Sequence, residues 1–366
     1  MKIAQITHYG SLSNYGALLQ AYALQLALKE LGHDAFLLQA SFSFHNILRK
    51  WYKSPLRVLK AWRRNRAEQR AEQLHPRKFR EFAASRMTLS AKKYFSHRDL
   101  LKDPIDADAL VTGSDQVWSG KTPFPPYFLD FGAPEAIRFS YAASIGSKAR
   151  TDAEYLQKFR QSLTKFSGVS VREFEALEQC HLAGIDSAVL VPDPVMLFDG
   201  DHYRKELQLT APQTSGKYCL IYTVGRKLAC EAEIVAYCRQ KNLQIIVVAA
   251  QHQNNPDIPG GELCYPEIQE FLALIDHAEM VVTDSFHGTV FSLLFNTPVT
   301  VIPKNDHDAR FDTLNEYFHI SGAYCRGDFE QATEYRFDFP AVNRKIAALQ
   351  TVGWDFLKSV TGGGEK

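Results

Sequence analysis

The chain has little that would tie it to a membrane, a metal or the extracellular space. No apolar run approaches the roughly 18–20 residues that span a bilayer. The six cysteines (Cys180, Cys219, Cys230, Cys238, Cys264 and Cys325) form no CxxC pair and no zinc-type spacing. They read as reduced, mostly buried thiols of a cytoplasmic protein. Lys and Arg number 42 against 41 Asp and Glu, and a net charge of +1 argues against a general nucleic-acid binder. The start of the chain, Met1 to Thr7, reads as a strand and lacks the long apolar stretch of a signal peptide. There is no GxSxG elbow, no HExxH and no Walker A loop. Asp306-His307-Asp308 has no partner His or Asp cluster at ligand spacing, so neither a metal nor a resident cofactor is expected.

What is present is ordinary in bulk and specific in pattern. The 366 residues suggest two domains of roughly 150–200 residues. An apolar content of 45% with 12% aromatics supports large cores. Strand and helix signals alternate. Strands are expected at Lys2–Thr7, Asp34–Gln39, Ala109–Thr112, Ile137–Ala142, Gly168–Val171 and Ala188–Val191. A helix from about Asn14 to Leu31 has Gly32 as its stop. The second half restarts the rhythm with strands at Tyr218–Val224, Gln244–Ala249, Glu279–Thr283 and Val299–Ile302. The pattern predicts an α/β protein of two Rossmann-like doubly wound domains facing a cleft. The first covers residues 1–205, the second 206–340, with polar, Pro-bearing sequence from Asp199 to Gly216 between them. A last amphipathic helix in 341–366 is expected to pack back on the first domain.

Charge is concentrated in one place. Between Arg49 and Glu81 there are twelve Lys or Arg against three Glu, interleaved with Trp51, Tyr52, Leu56, Val58, Leu59 and Trp62. This reads as a basic helical insertion, about residues 45–85, in the first domain. It is either a solvated excursion or a docking element for an anionic membrane surface or a lipid-diphosphate carrier. On the second reading the protein is cytoplasmic and peripheral at the inner membrane face.

In open α/β sheets ligands bind beyond the carboxyl ends of strands, and here those loops are polar and glycine-rich. Met280–Thr283 is a buried strand that breaks straight into a helix. Thr283, Asp284 and Ser285 can cap it, and His287 falls in its first turn, at the positive end of the helix dipole. A histidine beside an anion site is a proton donor or acceptor, or simply a structural residue. Arg226 and Lys227, after Gly225, suit a phosphate or carboxylate, and Lys304 and Arg310 would complete a cationic pocket around His287. In the first half, the turn His8 to Gly16 is not GxGxxG, which disfavours a dinucleotide, while Asn14 and Gly16 fit a tight helix start. Asp115 beside Trp118 is a common way to hold a sugar, although Asp115 fits a helix cap equally well. Ser144-Ile145-Gly146-Ser147 offers hydroxyls and backbone N–H groups. The second domain thus reads as anion-binding and the first as polyol-binding.

These residues carry a resemblance to the polysaccharide pyruvyl transferase family. It rests on Met1–Gln25 with Asn14-Tyr15-Gly16-Ala17 and Gln20, on Gly113-Ser114-Asp115-Gln116-Val117-Trp118, and on Ser140-Tyr141-Ala142-Ala143-Ser144-Ile145-Gly146. Ser170-Val171-Arg172-Glu173, Asp193-Pro194-Val195 and Asp284-Ser285-Phe286-His287-Gly288 complete it, in that order over about residues 1–320 outside the insertion. The resemblance implies a GT-B-like fold with the donor in the second domain and the acceptor in the first. It implies transfer of the enolpyruvyl group of phosphoenolpyruvate onto a sugar of a cell-surface or exopolysaccharide, or its lipid-linked oligosaccharide precursor. The product is a pyruvate ketal, with phosphate released. His287 is then expected as general acid/base, with Asp115 as a second catalytic group. Arg226, Lys227, Lys304, Arg310, Ser285 and Gly288 are expected around the donor, and Asn14, Tyr15, Gly16, Trp118 and Ser144 around the acceptor. Arg172 is expected as a domain-interface ion pair or a donor ligand.

One position departs. Many members carry an S-x-R-x-H pattern, and here Thr283 and Ser285 stand where the serine and arginine would be. Two other classes therefore stay open: a GT-B glycosyltransferase using a nucleotide sugar, and a non-catalytic glycan-binding or assembly protein.

Overall fold

The computed structural model describes residues 1–9, 14–42, 76–146, 148–214, 216–224, 228, 230–249, 258–303 and 308–362. The chain divides into two compact units. The first is Met1–Leu12, Ala17–Leu197 and Thr351–Lys366; the second is Ser13–Gly16 with Phe198–Gln350.

The first unit is built on β1 (Lys2–Ile6), α1 (Tyr15–Glu30), β2 (Asp34–Ala40), α2 (Pro76–Arg86), β3 (Leu89–Tyr94), α3 (His97–Lys102), β4 (Ala109–Thr112) and β5 (Ile137–Ser140). Then follow α4 (Ala153–Leu163), β6 (Ser170–Val171), α5 (Phe174–Leu182) and β7 (Val189–Leu190). Its five-stranded sheet runs β3-β2-β1-β4-β5, all parallel. Bridges Phe139–Gly168 and Ala143–Val171 carry it on to the β6–β7 pair. α1 is apolar on nearly all sides because it is buried on nearly all sides, from Tyr15 to Leu28. It stops at Gly32, whose φ of 81° is the left-handed value that glycine adopts without strain.

The second unit repeats the plan: α6 (Gly200–Glu206), β8 (Tyr218–Thr223), α7 (Glu231–Gln240), β9 (Gln244–Ala249), β10 (Gly261–Cys264), α8 (Ile268–Asp276), β11 (Met280–Thr283), α9 (Phe286–Leu294), β12 (Val299–Val301), α10 (Ala309–Phe318) and α11 (Phe329–Thr333). Its sheet runs β10-β9-β8-β11-β12, again all parallel. α12 (Phe339–Thr361) contributes residues to Gln350 to the second unit and from Thr351 to the first.

In both sheets the order reverses between the first strand and its later neighbour, β1 beside β4 and β8 beside β11. Within each doubly wound sheet, ligands bind beyond the carboxyl ends of the strands at such a point.

Two expectations change, and a third lies mostly outside the described residues. The segment Asp199 to Gly216 is not all linker. Asp199 caps α6 by accepting from His202 N (2.8 Å), Tyr203 packs edge-on to Phe291 (5.3 Å), and Arg204 forks Asp276 at 2.9 and 2.6 Å. Those contacts place residues from Phe198 onward in the second unit. The edge strands β3 and β10 are additional to the expected set. β3, Leu-Ser-Ala-Lys-Lys-Tyr, carries the lysines of an edge strand and little apolar pattern. Most of the basic insertion, and with it any membrane contact of residues 49–81, lies outside the described residues. Its end is α2, with Phe79 and Phe82 buried and Phe82 edge-on to Tyr22 at 5.3 Å.

Candidate functional site

In the second unit the turn from β11 to α9 is held by side chains of its own sequence. Thr283 Oγ1 donates to Tyr222 O (2.7 Å) and accepts from Ser285 N (3.0 Å). Ser285 Oγ accepts from Gly288 N (3.2 Å), so Ser285 is the N-cap of α9. Asp284, 3% exposed, accepts from Val224 N at 2.7 Å. That bond pins the chain leaving β8 to the chain leaving β11, across the point of order reversal. Arg226 and Lys227 follow Val224 in the sequence.

His287 sits in the first turn of α9, 7% exposed, edge-on to Phe286 (5.2 Å, 89°). Its imidazole is seated against Gly16: a Cβ on Gly16 would lie 2.2 Å from Nδ1 and 2.7 Å from the histidine's own Cβ. Gly288 serves packing, since a Cβ there would meet Thr283 Oγ1 at 2.6 Å and Tyr222 at 2.9 Å. α9 therefore lies closely on β8 and β11, which corrects the expectation of Gly288 as a donor contact.

Tyr15 and Gly16 are also corrected as acceptor contacts. Tyr15 is fully buried, stacked on Phe271 (4.1 Å), with its hydroxyl donating to Pro266 O (2.7 Å). Burial pushes its phenol pKa far up. It is a core residue of the second unit, and Gly16 is the seat of His287. Asn14 precedes them, half-buried. Arg310 does not enter a pocket around His287 as a bare cation: it forks its own helix cap, Asp308, at 2.9 and 2.7 Å. Arg226, Lys227 and Lys304 lie outside the described residues.

In the first unit the carboxyl ends of β1, β4, β5, β6 and β7 converge on a buried ionic hub. Arg172, 1% exposed in its side chain, donates to Asp193 Oδ2 (2.6 Å) and Ser114 Oγ (3.1 Å). It lies 3.5 Å from Glu173 and 4.0 Å from Asp115. Burial opposes its charge, but Asp193, Glu173 and Asp115 outweigh that and raise its pKa. Asp193, Ser114, Glu173 and Asp115 all belong to the first unit, and these contacts make Arg172 an anchor of that unit. Glu173 Oε1 accepts from Ile145 N (2.6 Å) and Gly146 N (3.1 Å), fixing the loop after β5. Asp193 and Glu173 were visible in the sequence only as motif members; nothing in their spacing announced an ion hub.

Asp115 stands at φ 76°, a left-handed conformation uncommon for any residue but glycine. Its carbonyl accepts from Val117 N (2.7 Å) and Ser144 N (3.1 Å), and its side chain is 19% exposed. Ser144 is fully buried, its hydroxyl accepting from Gly146 N (3.1 Å), so it shapes the turn and does not face an acceptor. Trp118 is corrected too. At 2% exposure it stacks on Phe128 (5.3 Å, 14°), meets Phe159 edge-on (5.4 Å) and donates Nε1–H to Tyr127 O (3.1 Å). No sugar ring can reach its face.

Among the described residues no group of three or more His, Cys, Asp or Glu could hold a metal ion. No described helix is long and apolar enough to cross a membrane. Cys180, Cys219, Cys230 and Cys238 are buried thiols.

Two Rossmann-like units, each with a point of strand-order reversal, define the class: a GT-B-like fold. The same fold is seen in the UDP-GlcNAc 2-epimerase of Neisseria meningitidis bound to UDP-GlcNAc (10% identity, TM-score 0.51, covering 96% of this chain and 99% of that one). The UDP-N-acetylglucosamine 2-epimerase of Rickettsia bellii is similar (11% identity, TM-score 0.50, 98% of each chain). At such identities the likeness speaks for the fold alone. No curated protein sequence matches significantly. The family pattern described as Polysaccharide pyruvyl transferase matches residues 14–305, and the chain belongs to that family.

Proposed function

We propose that this protein transfers the enolpyruvyl group of phosphoenolpyruvate onto two hydroxyls of a saccharide, forming a pyruvate ketal and releasing phosphate. The observation that carries the reading is the seating of His287. It is locked against Gly16 in the first turn of α9, where the helix dipole favours an anion, in a chain whose residues 14–305 match the family. Phosphoenolpyruvate brings a phosphate and a carboxylate, and the second unit supplies the cations. In the sequence Arg226 and Lys227 follow β8 and Lys304 follows β12, and Asp284 anchors Val224, at the end of β8, to the His287 turn. In this mechanism His287 delivers a proton to the methylene carbon as a sugar hydroxyl attacks the neighbouring carbon. A second hydroxyl then displaces phosphate, which leaves with the electron pair of the broken C–O bond. The first unit supplies the acceptor side through Asp115, held in place by Arg172 and the loop that Glu173 fixes. The acceptor is a polysaccharide sugar or its lipid-linked precursor.

A thermal-shift titration of the purified protein with phosphoenolpyruvate tests this, with UDP-, GDP- and CMP-sugars alongside. A saturable shift with phosphoenolpyruvate alone, lost in Arg226→Ala or Lys304→Ala, is expected. A shift with a nucleotide sugar instead would make the chain a glycosyltransferase on the family frame. The observation favouring that second reading is Ser285, which caps α9 where many members carry an arginine.

A further inference from the structure

The second unit carries a cavity at the end of its sheet opposite the His287 turn. It measures about 640 Å³, within the usual range for a small ligand. Its lining comes from residues at or just before the starts of β8, β9, β11 and β12 (Lys217, Leu243, Met280 and Val299) and from the chain between Glu330 and Phe339. The His287 turn lies beyond the other ends of these strands. β8 is six residues long, roughly 16 Å at the usual rise per residue, so the two places are well apart. Four half-buried rings line the cavity: Tyr237, Tyr335, Phe337 and Phe339. Three of them alternate along the chain as a ladder. Tyr335 meets Phe337 edge-on at 4.8 Å, and Phe337 stacks on Phe339 at 5.3 Å with 9° between the planes. The ladder is fixed at its start. Tyr335 donates its hydroxyl to His319 O (2.9 Å), and its ring is seated against Gly322, where a Cβ would lie 2.5 Å away.

The charged groups of the lining balance: Lys217, Lys241 and Arg336 stand against Glu279, Glu330 and Glu334. Lys217 is committed to Glu279 (2.8 Å), and Lys241 Nζ lies 5.7 Å from the centre of the Tyr237 ring. Arg336 is exposed and makes no ion pair among the described residues. Thr300, 1% exposed, also lines the cavity, and among the described residues its hydroxyl has no hydrogen-bond partner. A balanced set of charges gives no net attraction for a phosphate or a nucleotide. Rings bordered by carboxylates, a guanidinium and a free hydroxyl suit a neutral saccharide instead. Its C–H faces rest on the rings, and its hydroxyls bond to donors and acceptors alike.

We propose that this cavity is a second saccharide site, one that holds a neutral oligosaccharide segment of a polymer away from the sugar that reacts. That the polymer is the acceptor rests on the pyruvyl-transfer reading; the binding itself does not. No residue of the lining belongs to the chemistry around His287. The site therefore acts by keeping the chain near and raising the local concentration of its sugars. Its loss is felt in the KM for long acceptors and not in kcat.

The test uses the full chain and saturation-transfer NMR with neutral tetrasaccharides of glucose, galactose and mannose, and with ATP as an anionic aromatic control. Wild type is expected to bind at least one tetrasaccharide, about tenfold more weakly in Phe337→Ala and in Arg336→Ala. Arg336→Ala removes an exposed side chain and leaves the ring ladder intact, so the test stands if Phe337→Ala does not fold. In phosphate release from phosphoenolpyruvate, both variants are expected to raise the KM for an oligosaccharide acceptor about tenfold. The kcat and the KM for a monosaccharide acceptor are expected to stay as in wild type. No tetrasaccharide binding, binding untouched by both substitutions, or ATP binding that depends on Phe337 and Arg336 overturns the saccharide site. A fall in kcat in Arg336→Ala overturns its role as a holding site. Tetrasaccharide binding that needs Phe337 or Arg336, with no phosphate release by wild type, leaves the site standing and removes the pyruvyl-transfer reading.

Discussion

Gly16 and His287 occupy one space: 271 positions apart in the sequence, they touch so closely that a single added methyl on Gly16 would lie 2.2 Å from the imidazole Nδ1. The helix start and the histidine were separate features in the sequence. In the fold, the absence of a side chain on one is the condition for the position of the other.

Gly16→Ala is therefore expected to displace the imidazole or open the packing around it. A destabilisation of about 1–3 kcal/mol is the usual cost of forced overpacking, visible in urea denaturation. Turnover is expected to fall at least tenfold. A variant with full activity would mean that His287 works from a different position.

His287→Ala removes the group itself. If it moves the proton, turnover falls about 10²–10⁴-fold while circular dichroism stays that of the folded protein. An unchanged rate takes His287 out of the mechanism.

Arg172 to Met leaves Asp193 and Glu173, both fully enclosed, without their guanidinium. Removing one partner of a buried pair costs about 3–5 kcal/mol, a shift that denaturant melts of the whole chain would register. A loss below 1 kcal/mol would show that water reaches the hub.

Trp118→Phe separates a core residue from a sugar platform. The variant leaves Tyr127 O without its donor, an expected loss of about 1–3 kcal/mol. The KM for the saccharide should not change. A raised KM at full stability would return Trp118 to the acceptor site.

Acid should weaken the protein partly through His8. Its pKa is depressed by burial when folded, while in the unfolded chain it sits near the ordinary value of about 6.5. Its contribution is present above that pH and is lost as pH falls toward the folded value, because the unfolded state takes up the proton first. His33, also lowered by burial, adds to the same trend. His8→Gln is therefore expected to narrow, without abolishing, the gap in urea midpoint between pH 7.5 and pH 5.5. An identical gap would place His8 in solvent.

The alternation of strand and helix, the histidine at a strand-to-helix turn and the order of the family motifs were all legible along the chain, because period, capping chemistry and loop composition are local properties. Ser285 reads as a cap and is one; Gly32 reads as a stop and is one. The edge strands β3 and β10 were not legible, since an edge carries lysines and half-exposed residues in place of an apolar run. Nor was the assignment of side chains to core or surface within a motif. Trp118 and Tyr15 have the composition of sugar contacts, yet Phe128 and Phe271 cover them. Arg172 gathers three carboxylates brought by three separate loops. Pairings between residues on separate loops depend on which strands become neighbours. A local pattern names the groups that can carry chemistry, whereas burial and electrostatic neighbours exist only once β1 lies beside β4 and β8 beside β11.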